Sequence, residues 1–143
     1  MKPPSDPIHV LLVEDNPVDA RVALRTIEAW ETPSTVTHLD DMHVAMAYLQ
    51  EPANLAPDLV LLDLNLPSGN GHDILYEIRQ SERHAHVPVV VLTTSEADDD
   101  VRRSYELGAN AFVSKPRDLA GWKQAFSDVE SFWFGTATLP PNG

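Results

Sequence analysis

Short hydrophobic segments recur along the chain, and each is followed by a polar or amphipathic stretch. The hydrophobic segments lie at residues 8–14, 35–40, 58–64, 87–94 and 110–114. This alternation is typical of βαβ units, in which a helix follows each strand of a parallel sheet. The sequence therefore predicts an α/β fold: a doubly wound (βα)5 domain with a five-stranded parallel sheet and helices on both faces.

The segments differ in how completely they are hydrophobic. Residues 58–64 and 87–94 are apolar at nearly every position, as expected for central strands that helices cover on both faces. Residues 35–40 alternate more between apolar and polar side chains. This second pattern predicts a strand at the edge of the sheet.

Helix signals occupy the stretches between the predicted strands. The run Asp15-Asn16-Pro17 supplies a capping residue and a first-turn proline for a helix that continues towards Trp30. Gly108 is well placed to end the fourth helix. The other predicted helices lie at residues 42–50, 71–82, 96–107 and 118–134.

Length and composition indicate one soluble domain. The 143 residues are enough to bury a core, and the chain contains no cysteine. We expect the domain at residues 8–134, an N-terminal tail at residues 1–7 and a C-terminal extension at residues 135–143. The first hydrophobic segment is too short for a signal-peptide core or a membrane span, which predicts a cytoplasmic protein.

The chain is strongly acidic. It has 10 Lys and Arg residues against 22 Asp and Glu residues, a formal net charge of −12. Such a charge repels nucleic acid and anionic membranes. We therefore expect neither to be a partner.

Chemically reactive side chains follow the predicted strands. In an open parallel sheet, ligands bind beyond the carboxyl ends of the strands. Glu14 and Asp15 end the first strand, Asp63 the third, hydroxyl residues 93–95 the fourth, and Lys115 follows the fifth. These side chains are thus predicted to converge on one edge of the sheet.

Three neighbouring carboxylates repel one another unless a cation lies between them. Carboxylate ligands without His or Cys are typical of Mg2+. We predict that Glu14, Asp15 and Asp63 bind Mg2+, and that one carboxylate acts as a nucleophile towards a phosphoryl group. The metal and Lys115 would neutralise the phosphoryl charge, and Asp63 is the central candidate for the nucleophile.

Four motifs together resemble those of the response-regulator receiver domain. They are EDN at 14–16, LVLLDLNLPSGNG at 59–71, VVVLTTS at 89–95 and GANAFVSKP at 108–116. The resemblance covers almost the whole chain and implies the flavodoxin-like receiver fold. It also implies a single-domain response regulator of a two-component phosphorelay, which accepts a phosphoryl group from a histidine kinase and signals through protein contacts. Such a receiver catalyses its own phosphorylation and dephosphorylation but is not a classical enzyme.

The resemblance also implies roles for individual residues. Asp63 would be the phosphoacceptor, Lys115 the phosphate-contacting lysine and Thr93 the switch hydroxyl. Asn65 would be a metal ligand through its carbonyl, beside the acidic pair. Phe112 stands at the position of the family's switch aromatic, and because it has no hydroxyl we expect it to switch by burial.

Other functions fit parts of the pattern. An aspartyl-phosphate hydrolase of the haloacid dehalogenase type needs a second carboxylate two residues after its nucleophile, where this chain has Asn65. A flavodoxin-like cofactor binder would place glycines or hydroxyls in the first loop, where this chain has Glu14 and Asp15. A phosphate sink for another kinase and regulator pair is an alternative role for a receiver.

The last predicted helix carries an apolar stripe formed by Leu119, Trp122, Phe126, Val129 and Trp133. Phe132 and Phe134 cannot share this stripe, because neighbours in a helix are about 100° apart. We expect these two residues, with the tail at residues 136–139, to form a homodimer contact; the alternative is a tail folded back on its own domain. The terminal FWFGTATLPP also resembles the extension of response regulators that work with phytochrome histidine kinases.

Overall fold

The computed structural model describes residues 6–141, and within them five parallel strands form one sheet. The strands are β1 (Ile8–Val13), β2 (Ser34–Leu39), β3 (Leu59–Leu62), β4 (Val89–Thr93) and β5 (Ala111–Ser114). Their order is β2-β1-β3-β4-β5, which places β2 at an edge, as its alternating pattern predicts. The ends of the predicted tail and extension, residues 1–5 and 142–143, lie outside the described residues.

A helix follows each of these strands. The helices are α1 (Pro17–Glu28), α2 (Met42–Gln50), α3 (Gly71–Gln80), α4 (Asp98–Glu106) and α5 (Leu119–Ser131). The side chain of Asn16 caps α1, since its oxygen accepts hydrogen bonds from the backbone N–H groups of Val18 and Asp19. Gly108 follows the end of α4 with φ of +102°, a conformation that glycine adopts without strain.

Hydrophobic side chains from the sheet point alternately into two layers. Val10 and Leu12 pack with α1 and α5, whereas Leu11 and Val13 pack with α2 and α3. This alternation follows from the two-residue period of a strand. Because both faces are covered, the doubly wound (βα)5 prediction is confirmed, and the carboxyl ends of the strands share one open edge.

A small antiparallel hairpin between β3 and α3 is not anticipated by the hydrophobic pattern. Asn65–Leu66 pairs with Gly69–Asn70, and Ser68 in its turn has a φ of 67°. A Cβ atom on Gly71 would lie 2.3 Å from the carbonyl oxygen of Asp63. Only glycine therefore lets the start of α3 approach the backbone of Asp63 so closely.

The end of the last helix differs from the predicted regular helix to residue 134. A π-helical turn at Phe132–Thr136 follows α5, and its wider turn changes which side chains face the core. Trp133 and Phe134 are both half-buried against the α1 and α5 layer, with the Phe134 ring 6.0 Å from that of Trp30. The prediction that Phe134 points away from the core is therefore wrong, whereas Phe132 is 50% exposed.

Two further details of the C-terminal prediction differ in the structure. Leu119 is 57% exposed in the first turn of α5, so the buried stripe starts at Trp122. Leu119 lies on the open groove between α1 and α5 and not beneath the sheet. The described end of the extension, residues 139–141, folds back on its own domain, beside Val87 and Pro88.

Candidate functional site

Side chains from the ends of three strands meet at the open edge of the sheet. Glu14 directly follows β1, Asp63 follows β3 and Lys115 follows β5. The backbone N–H of Asp63 donates to the Val13 carbonyl at 3.0 Å, and that of Lys115 to the Thr93 carbonyl at 2.8 Å. Parallel strand pairing therefore holds the side chains of Glu14, Asp63 and Lys115 side by side at the carboxyl ends of the strands.

The Lys115 ammonium lies among carboxylates. Its Nζ is 2.8 Å from Glu14 Oε1, 2.8 Å from Asp19 Oδ2 and 2.9 Å from Asp63 Oδ2. The lysine side chain is only 6% exposed. Asp19 is missed by sequence reasoning; its position in the first turn of α1, which begins at the rim of the site, is the signal that could have found it.

Burial and charge perturb the ionisation of this group of residues. Burial raises the pKa of Glu14 to about 7; the hydrogen bond from Lys115 opposes this rise, and the Asp63 carboxylate adds to it. Burial lowers the pKa of Lys115, but hydrogen bonds to Asp19, Glu14 and Asp63 outweigh it and leave this pKa above its ordinary value. The lysine thus stays charged, and its single ammonium group faces three carboxyl groups.

Glu14, Asp15 and Asp63 form what we call the carboxylate cluster. Each contributes one oxygen, and these oxygens lie within 4.8 Å of one another. Such hard oxygen donors suit a divalent cation of the Mg2+ type, so the residues fit the predicted metal. Asn65 lies beside the cluster, because its backbone N–H donates to Asp63 Oδ1 at 3.2 Å.

Thr93 and Phe112, the predicted switch pair, lie on the neighbouring strands β4 and β5. Thr93 is buried, and its hydroxyl oxygen is 3.4 Å from the donors Asn65 Nδ2 and Ser95 N–H. Phe112 is half-buried against the α2 and α3 layer, and its backbone N–H donates to the Tyr105 hydroxyl at 3.1 Å. The structure therefore brings Thr93 next to the site and keeps Phe112 farther along the sheet.

A chain of hydrogen bonds that the sequence does not reveal leads from Thr93 to α4. Ser95, whose N–H faces Thr93, donates from its Oγ to Asp100 Oδ2 at 2.5 Å. Ser104 donates to the Asp100 carbonyl at 2.7 Å and lies 2.9 Å from Nε2 of His72 on α3. Burial lowers the pKa of His72, which favours the neutral ring in this contact.

Comparison with known protein families identifies the family to which a chain with this site belongs. The family model described as response regulator receiver domain matches residues 10–126. The chain belongs to the response-regulator receiver family. It is therefore a signalling protein that accepts a phosphoryl group in two-component signalling, and the resemblance drawn from the four motifs is confirmed. Within residues 6–141, the structure has no helix that is long and apolar enough to span a membrane.

The receiver is similar to several characterised relatives. Response regulator Rcp1 of Synechocystis sp. is 42% identical over 142 residues, which cover 94% of each chain. The solved Mn2+-bound form of Rcp1 matches with a TM-score of 0.88 at 40% identity, over 94% of this chain and 100% of that one. The phosphorylated cyanobacterial phytochrome response regulator RcpA matches with a TM-score of 0.89 at 40% identity, over 95% of this chain and 100% of that one.

Proposed function

We propose that this receiver takes its phosphoryl group from a phosphohistidine of a histidine kinase onto Asp63, with Mg2+ in the carboxylate cluster. The observation that carries the proposal is the 2.9 Å contact between Lys115 Nζ and Asp63 Oδ2, within a set of oxygens suited to a divalent cation. A carboxylate in such surroundings can attack phosphorus, because the positive charges offset the repulsion between two anions.

The transfer exchanges one bond for another. An Asp63 oxygen forms the new bond to phosphorus while the bond from phosphorus to the donor's histidine nitrogen breaks, and that nitrogen keeps the electron pair. Lys115 offsets charge on the phosphoryl oxygens. Glu14, Asp15, Asp63 and the Asn65 carbonyl would hold the Mg2+, which supplies further charge neutralisation when bound. The same groups would assist hydrolysis of the acyl phosphate, so that the receiver resets itself.

Thr93 and Phe112 would convert the phosphoryl group into a change of shape. The buried Thr93 hydroxyl would turn towards the phosphoryl group, and Phe112 would fill the space it leaves. The half-burial of Phe112 supports this step, because the ring can still gain burial. The surface made by α4, β5 and α5 would then present a different face to a protein partner.

A phytochrome histidine kinase is the partner that we propose. Similarity to Rcp1 and to RcpA, a cyanobacterial phytochrome response regulator, supports this choice, and the C-terminal FWFGTATLPP agrees with it. We place the protein in the cytoplasm, and its net charge of −12 argues against nucleic acid as a partner.

A homodimer is the assembly that we propose. Phe132 is 50% exposed and stacks edge-on against Trp133, which leaves an apolar surface at the π-helical turn. A two-fold contact lets such a patch meet its own copy. Because Phe134 packs on Trp30, the proposed contact is centred on Phe132.

Phosphorylation by a phosphorylated histidine kinase or by phosphoramidate tests the function. Intact mass should show one added phosphoryl group with Mg2+ and none after the metal is chelated. Asp63→Asn, which is nearly isosteric, should fold and stay unlabelled, whereas Asp73→Asn on the exposed face of α3 should be labelled normally. Labelling of Asp63→Asn at the wild-type level would contradict the proposal.

A further inference from the structure

Asp19 contacts the same lysine as Glu14 and Asp63 but lies outside the carboxylate cluster. Its Oδ2 is 2.8 Å from Lys115 Nζ, and its side chain is 24% exposed. The oxygens that converge within 4.8 Å belong instead to Glu14, Asp15 and Asp63. Asp19 is thus neither the proposed nucleophile nor a proposed metal ligand, and its distinctive contact is with the lysine.

The lysine needs its acceptors because it is buried. An ammonium group has three N–H donors, and burying a donor without an acceptor is unfavourable. Glu14, Asp19 and Asp63 each place an oxygen within 2.9 Å of Lys115 Nζ. The aliphatic stem of lysine is flexible, so these contacts decide where the nitrogen lies.

Two of these acceptors acquire other partners during the proposed reaction. A cation in the cluster would attract the oxygens of Glu14 and Asp63, and the proposed phosphoryl transfer would turn the Asp63 carboxylate into an acyl phosphate. The contact between Asp19 and Lys115 competes with neither event. It can therefore persist before, during and after transfer.

We propose that Asp19 is a positioning residue, which holds the Lys115 ammonium beside the phosphoryl group on Asp63. The inference rests on the proposed function of Asp63. It requires an acceptor oxygen at position 19, whereas the negative charge of Asp19 by itself repels a phosphoryl group. Because these two effects have opposite signs, substitutions can separate them.

Beryllofluoride in the presence of Mg2+ is a suitable probe, since it mimics a phosphoryl group on a carboxylate. Tryptophan fluorescence can follow binding, because Trp122 donates its Nε1–H to the carbonyl oxygen of Pro116, next to Lys115, at 3.0 Å. Asp19→Ala removes the acceptor and should weaken binding about tenfold. Asp19→Asn keeps an acceptor oxygen and should bind within about threefold of wild type.

Asp73→Ala is the matched control. Asp73 is the third residue of α3, as Asp19 is the third residue of α1, and it is exposed. It should bind beryllofluoride as the wild type does. In a Lys115→Met background, Asp19→Ala should cause no further loss of beryllofluoride binding, because Asp19 acts through the lysine. A merely structural effect of Asp19→Ala would still weaken binding in that background.

Wild-type or tighter binding by Asp19→Ala would overturn the positioning role, because charge repulsion would then dominate. An Asp19→Asn variant that binds beryllofluoride as weakly as Asp19→Ala would overturn it as well, since an acceptor oxygen at position 19 would then not be enough to hold the Lys115 ammonium. If the wild type itself fails to bind beryllofluoride with Mg2+, the proposed function of Asp63 fails first. Binding by the wild type and by Asp73→Ala therefore distinguishes failure of the Asp19 positioning role from failure of the proposed function of Asp63.

Discussion

Asp15 differs from the other two members of the carboxylate cluster because it is half-buried, whereas Glu14 and Asp63 are buried. Asp15→Asn should weaken Mg2+ binding at least about tenfold and slow phosphorylation, because one charged oxygen ligand is lost. It should also stabilise the metal-free protein by on the order of 1 kcal/mol, because repulsion within the cluster falls.

Metal titration and thermal unfolding in a chelator check both effects. Asp40→Asn is the matched control, since Asp40 is exposed beyond the end of β2 and outside the cluster. Its Mg2+ affinity should match that of wild type. A lower melting temperature for metal-free Asp15→Asn would count against repulsion within the cluster.

His84 should make the free energy of unfolding depend on pH. It is buried, its Nε2 is 3.3 Å from the Leu49 carbonyl oxygen, and burial lowers its pKa below the ordinary 6.5. The folded state favours the neutral ring, so the free energy of unfolding should fall as the pH drops from 6.5 through the lower folded-state pKa. His84→Gln should flatten this dependence in urea unfolding, whereas the exposed His43→Gln should not. An unchanged slope for His84→Gln would remove His84 as the cause.

Some of the site residues can be predicted from the sequence, and others cannot. Glu14, Asp63 and Lys115 can be predicted because each directly follows a hydrophobic strand, and parallel strands end at a common edge. Asp19 cannot be predicted in this way, because its contact depends on the direction in which the first turn of α1 leaves the sheet.

Elements with a long, regular pattern are the ones that the sequence predicts well. The five strands and five helices have such patterns, and their bounds agree within a few residues. The hairpin after β3 has only two residues on each side, too few for a periodic signal. The π-helical turn at Phe132–Thr136 changes the helical phase within five residues, and the exposure of Phe132 and Phe134 depends on that change.

Helix α4 should respond to phosphorylation through Thr93. Thr93→Ala should still accept the phosphoryl group, since Thr93 is neither the proposed nucleophile nor a metal ligand, but should lose the response of α4, β5 and α5. Amide chemical shifts with and without beryllofluoride measure this. Thr94→Ala, which removes the neighbouring exposed hydroxyl, should respond as wild type does. If beryllofluoride changed the amide shifts of Thr93→Ala as it changes those of the wild type, the coupling would not run through Thr93.

For the whole molecule, the proposed homodimer contact lies at the π-helical turn. Burying the exposed Phe132 ring between two copies would contribute about 1.5–3 kcal/mol per ring. Phe132→Ser should therefore give a folded monomer, whereas Leu55→Ser, at a similarly exposed site before β3, should stay dimeric. Phe134→Ser should instead lower stability, because the contact with Trp30 is lost.

Light scattering at micromolar concentration decides the assembly. The wild type should have about twice the 15.8 kDa mass of one chain. A wild-type mass of one chain, or a Phe132→Ser variant that remains dimeric, would remove the proposed contact.

The proposed phosphoryl transfer to Asp63 is the event on which the expected behaviour of the whole molecule depends. Borohydride reduction of the phosphorylated wild type converts an aspartyl phosphate to homoserine, which peptide mass spectrometry can locate without any substitution. We predict homoserine at position 63, and only when Mg2+ is present during phosphorylation. Homoserine at Asp15 or Asp19 with an intact Asp63, or equal labelling after the metal is chelated, would contradict the assignment of Asp63 as the metal-dependent phosphoacceptor.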